Sequence, residues 1–117
     1  MTKFGSNMKM TVASTLRDVT RVAFETGLGC SRMSPNDSID LFEFADGGRI
    51  GVDYVAPEGA LTPEQQKVMG TWIEFEVADE EESAKKFTAC EGVTAFSFVT
   101  SHRYFQFPGG QVIRFKR

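Results

Sequence analysis

One histidine, two cysteines and one tryptophan in 117 residues leave little material for the commoner metal and redox chemistries. Cys30 and Cys90 form no CxxC pair, and with His102 alone they cannot assemble an ordinary zinc site. Unpaired in this way, they fit free thiols in a reducing compartment. No apolar run approaches the roughly 20 residues that cross a bilayer. The opening stretch MTKFGSNMKM lacks the apolar core of a secretory signal, so a cytoplasmic location is expected. An excess of positive charge is missing too. Thirteen Lys and Arg stand against sixteen Asp and Glu, a net charge of −3, which gives no general attraction for nucleic acid.

What the chain has is phenylalanine, 11 copies within a 41% hydrophobic composition, enough for one well-filled domain. Met8, Met10 and Val12 alternate with Lys9 and Thr11, which predicts a first strand over 8–13. Thr15 with Asp18 three residues on has capping-box spacing and opens a helix. Leu16, Val19, Val22 and Ala23 supply its apolar face, and the glycines of GLG end it. A short strand near 30–33, a polar loop SPNDS, and a strand over 39–45 follow. The DGG turn at 46–48 then returns the chain along 49–55. The first half reads βαβββ.

The second half repeats that order. Ile73, Phe75 and Val77 alternate with Trp72, Glu74 and Glu76. Asp79 caps a helix with Glu82 completing a box, its early glutamates and later Lys85 and Lys86 matching the helix dipole. The EEE run reads as helix-end electrostatics, not as a metal site. Gly92 ends the helix, and strands follow over 93–100, 103–107 and 111–116, the last two joined by PGG. FETGLGC at Phe24 resembles FTACEGV at Phe87, and DGGRIGV resembles PGGQVIR. Between the halves, Thr62 and Pro63 of TPEQ signal a short linker helix. The expected organisation is α+β, one domain with module 1 at about 7–55, a linker at about 56–70 and module 2 at about 71–117. Two tandem βαβββ modules would form one curved mixed sheet around a cleft, helices outside.

The paired βαβββ order, the F-x4-G helix exits and the closing YFQFPGGQVIRF resemble the vicinal oxygen chelate superfamily. That superfamily includes glyoxalase I, extradiol dioxygenases and bleomycin-resistance proteins. The resemblance implies ligand-bearing positions on the first and last strands of each module. In module 2 these fall on Trp72 and Arg114. In module 1 they fall within Asn7–Lys9 and on Gly51, or on Val52 in another register. Indole and guanidinium cannot ligate a divalent ion, and the fixed cation would repel it. No metal and no cofactor are therefore expected. The resemblance then implies a bleomycin-resistance-like, small-molecule binding protein, and a homodimer as related proteins often are. A metal-independent isomerase or lyase using a cleft carboxylate, and a protein-interaction module, are the alternatives.

Trp72 and Arg114 together suit a flat or aromatic ligand carrying a negative group. Glu74 and Glu76 share the face of Trp72, where they could pair with Arg114, meet a cationic ligand or face water. Tyr54 and Tyr104 could donate hydrogen bonds into a cavity. Phe42, Phe44, Phe96 and Phe98 would wall off water on whichever face they share with it. His102, in TSHR, reads as a solvated turn residue, with catalytic base as the lesser alternative.

Overall fold

The computed structural model describes residues 1–97 and 103–117; His102, Phe98 and the end of the strand expected over 93–100 lie outside the described residues. Eight strands run β1 (Asn7–Ala13), β2 (Ser31–Asn36), β3 (Ile39–Glu43), β4 (Arg49–Val55), β5 (Trp72–Glu76), β6 (Thr94–Ser97), β7 (Arg103–Gln106) and β8 (Val112–Lys116). The helices are α1 (Arg17–Val22), α2 (Pro63–Met69) and α3 (Glu80–Thr88). Strand order is β1-β4-β3-β2 in one sheet and β5-β8-β7-β6 in the other. In each the first strand runs parallel to the last, and the remaining pairings are antiparallel. Two βαβββ modules are thus present, with hydrogen bonding dividing the strands into two four-stranded sheets instead of one continuous sheet.

The seam between them is aromatic. Phe24 stacks on Phe42 at 4.1 Å and on Phe107 at 4.5 Å, joining a module 1 strand to the β7–β8 turn of module 2. Phe107 meets Phe87 of α3 edge-on at 5.2 Å. The α1 and α3 regions touch directly. A Cβ on Gly27 would lie 3.0 Å from Phe87 Cδ1 and 3.1 Å from Cys90 Sγ, so glycine lets the two close. One hydrophobic core therefore serves both modules. By the two-residue period of a strand, the uncovered faces lie on the far side of each sheet from that core.

Several local expectations change. The first helix has no capping box. Its opening turn, Ser14–Leu16, is a 3₁₀ turn entered from extended Ala13, so Thr15 is already inside and caps nothing. The helix then widens into a π turn over Ala23–Gly27, which rotates the buried side onto Thr20, Ala23, Phe24 and Gly27 and leaves Val22 44% exposed. Ser34–Asn36, expected as loop, continues β2 through a register shift after Met33, with Pro35 tolerated on the edge strand. At α3, Asp79 accepts from the Glu82 N–H at 3.0 Å, while the return bond of a full box is not made.

The linker helix does carry the full box. Thr62 and Gln65 exchange side-chain-to-backbone bonds, with Pro63 at the first helical position. Its docking explains the PGG turn. Buried Gln106 donates to the carbonyls of Pro63 (2.9 Å) and Gly110 (2.8 Å), clamping α2 to the turn. Gly110 sits at φ +105, and a Cβ there would come 2.6 Å from Pro63 Cα. Only glycine permits both the dihedral and that approach.

Candidate ligand-binding face

The uncovered face of module 2 collects most of the residues singled out by sequence. In β5 and β8 the register pairs Trp72 with Val112, Glu74 with Arg114 and Glu76 with Lys116, all on this face. Tyr104 of β7 and Phe96 of β6 are register partners on the same side. The indole of Trp72, 52% exposed, meets Tyr104 edge-on at 6.2 Å. Phe96 stacks against Tyr104 at 5.7 Å. Together with α2 these rings enclose a small cavity of 110 Å³ lined by Gln66, Lys67, Trp72, Phe96, Tyr104 and Val112, among others.

Two cations attend the rings. The Lys67 ammonium lies 4.9 Å from the Phe96 centroid, and the Arg114 guanidinium 5.1 Å from that of Trp72, both within cation–π range. The sequence left the partner of Arg114 open; it is Glu74, with Nε donating to Oε2 at 2.9 Å. The Tyr104 hydroxyl and then Glu74 accept hydrogen bonds from the guanidinium, which raises its pKa further above the ordinary value. With its side chain 20% exposed, Arg114 still presents a cationic edge to solvent.

Glu76 shares the β5 face but lines a different cavity, with Glu74, at the seam. Tyr54 is not part of the face at all. It is 6% exposed on the helix-covered side of β4, where its hydroxyl donates to Asp40 Oδ2 at 2.7 Å. Asp40 is the centre of a network the sequence reading did not find. Arg21 donates to both carboxylate oxygens, at 2.8 and 3.1 Å, and Ser34 donates to Oδ1 at 2.7 Å. The Arg17 guanidinium lies 4.7 Å from the Tyr54 centroid, above the network. Burial pushes the Asp40 carboxyl upward, but the bonds from Arg21, Ser34 and Tyr54 outweigh it and hold the pKa at about 2. Tyr54 is pushed up, first by burial and then by Asp40. The available signal was parity: Asp40 alternates in phase with core Phe42, where an unpaired charge would not survive.

The positions implied for a metal pair off within each module. Gly51 and Lys9 are register partners on the uncovered face of module 1, Lys9 lies 3.7 Å from Asp53, and Val52 is fully buried in the core. Trp72 and Arg114 are on the face of the other sheet. An indole, a guanidinium, an ammonium and a glycine offer no donor set for a divalent ion, which leaves the Asn7 amide and the Met8 thioether of β1 as the donors among the implied positions. Among the described residues no cluster of three or more His, Cys, Asp or Glu side chains stands in for them.

No protein-family model and no curated protein matches the sequence. Solved structures do match. A gene product of Arabidopsis thaliana superposes with TM-score 0.74 at 13% identity, covering 100% of this chain and 99% of that one. A possible glyoxalase from Bacillus cereus gives 0.68 at 16%, with 98% and 100% covered. The fosfomycin resistance protein of Listeria monocytogenes gives 0.70 at 14%, with 98% and 90% covered. The chain has the vicinal oxygen chelate fold. The uncovered face of its module 2 carries a cation-flanked aromatic trough.

Proposed function

We propose that this protein is a metal-free, small-molecule binding protein that takes a flat, anionic ligand on the module 2 face. The observation that carries the reading is the clustering of Trp72, Tyr104 and Phe96 with Lys67 around one cavity, with the Arg114 guanidinium set over the Trp72 ring. Stacking on the rings supplies area, and the Arg114 N–H groups not taken by Glu74 and Tyr104 supply the contact for an acid group. Glu74 holds Nε and keeps the guanidinium oriented. A variant of the Listeria fosfomycin resistance protein was crystallised with Mn(II) and a dihydroxypropylphosphonic acid, so a protein of this fold does hold a small anion. The donor set described above is why the metal is left out here.

The cavity of 110 Å³ holds about one ring, whereas ligand sites commonly run to about 300 Å³ or more. We therefore assign the missing wall to a second copy of the chain. Met33 (61% exposed) on the module 1 face, and Val68 (85%) and Met69 (68%) beside the trough, supply apolar surface for a homodimer.

The test is a thermal-shift screen of planar aromatic carboxylates and phosphonates, with Trp72 fluorescence following each hit. Arg114→Ala is expected to weaken a hit about tenfold or more, and Arg114→Lys to restore little because it lacks the planar fork. Glu74→Gln, which removes the competing carboxylate, should strengthen it severalfold. Sedimentation should show a dimer that Val68→Glu weakens. Unchanged affinity in both Trp72→Ala and Arg114→Ala would place the site elsewhere.

A further inference from the structure

A second, larger cavity lies where the modules meet. It measures 880 Å³, a drug-sized space, and takes its walls from both halves of the chain. Phe44 of module 1 and Phe75 of module 2 stack at 5.0 Å and are only half-buried, and both line the groove. Leu28, Val77 and Phe115 extend that apolar floor. None of the rings of the aromatic trough lines it.

The rim has a definite sign. Arg49 lines the groove but is bound to Glu43 at 2.8 Å, and Glu74 is bound to Arg114. Two carboxylates remain uncommitted to any cation among the described residues. The Asp46 side chain only accepts the backbone N–H of Gly48, and the Glu76 side chain makes no hydrogen bond or ion pair among the described residues. Lys116, the register partner of Glu76, lines a different cavity with Glu80, Glu81 and Arg103. An apolar floor with half-buried aromatic rings below a rim of unpaired negative charge is complementary to one ligand chemistry. Rings attract cations over their faces, carboxylates attract them at the rim, and a bulky apolar body fills the volume.

We propose that the groove between the modules, floored by Phe44 and Phe75 and rimmed by Glu76 and Asp46, is a binding site for a hydrophobic organic cation. It is separate from the anion-binding face of module 2 and does not depend on that reading. The occupant would touch both modules at once and so stabilise their seam.

Tetraphenylphosphonium and tetraphenylborate, nearly equal in shape and opposite in charge, give the test by equilibrium dialysis on the intact protein. The phosphonium is expected to bind at least about fivefold more tightly than the borate, and Glu76→Gln to reduce its affinity about three- to fivefold, as for one exposed charge pair. The difference should shrink as salt is added. Ala78→Phe, which fills the groove from an exposed lining position, should abolish binding. Trp72→Ala should leave phosphonium binding intact while it impairs the anion-binding face. The proposal is overturned if the borate binds equally well, if Glu76→Gln changes nothing, if Trp72→Ala removes phosphonium binding, or if nothing binds at about 1 mM.

Discussion

Replacing Asp40 by asparagine tests the buried network at its centre. The carboxylate is 1% exposed and receives four hydrogen bonds, from Arg21 twice, Ser34 and Tyr54. Its pKa falls from the ordinary 3.8 to about 2, and at about 1.4 kcal/mol per pH unit that gap contributes about 2 kcal/mol of stability. A depressed carboxylate contributes this fully above pH 3.8 and loses it as the pH falls through about 2. Asparagine abolishes the charge and turns an N–H₂ toward donors, so at pH 7 the loss is larger. Breaking a buried charge pair typically costs about 3–5 kcal/mol. Arg21, with its side chain 27% exposed, can turn to water, which sets the expectation at the lower end, about 3 kcal/mol. Urea unfolding followed by circular dichroism at pH 7, and again at steps from pH 5 to 2, reads both quantities. Between pH 4 and 2 the wild type should lose about 2 kcal/mol more than the variant, since other carboxylates titrate in both. A cost under about 1 kcal/mol at pH 7, or parallel acid profiles, would refute the reasoning.

Gly110→Ala should destabilise by about 2–3 kcal/mol, because the positive φ and the contact with Pro63 are both forbidden to a side chain; a thermal melt, with amide exchange across α2, should show the linker helix loosened. Thr20→Val should be neutral or gain about 1 kcal/mol in urea unfolding, since the buried Thr20 hydroxyl has no hydrogen-bond partner and the two side chains share a shape. Burial pushes the Cys30 thiol up to about 12 and raises Cys90 as well, so a thiol reagent at pH 8 should label neither in the folded protein and both after denaturation.

The sequence by itself determined the modules. Alternation at Met8–Val12, Ile73–Val77 and the strands between is local, each module repeats it, and the glycine and proline turns separate the elements at short range. The linker helix was legible from Thr62 and Pro63 because a cap is made by residues three apart. Trp72, Glu74 and Glu76 could be placed on one face by the two-residue period of their strand, and Arg114 toward the cleft by the period of its own, whereas the side taken by Tyr104 depended on register. What tertiary structure decided is everything that depends on the two modules meeting. The stack of Phe42, Phe24 and Phe107 spans 83 positions of sequence, and no local period encodes it. The π turn that shifts the buried side of the first helix answers to packing against Phe87 and Cys90, not to its own propensity. Tyr54 and Asp40 went to the core because burial of a charge is permitted once Arg21 and Ser34 arrive from other elements. The partner of Arg114, and the different cavities reached by Trp72 and Glu76 from one strand, likewise follow from where neighbouring sheets and the linker helix end. Those positions are fixed by the shared core, which forms only when distant apolar faces find each other.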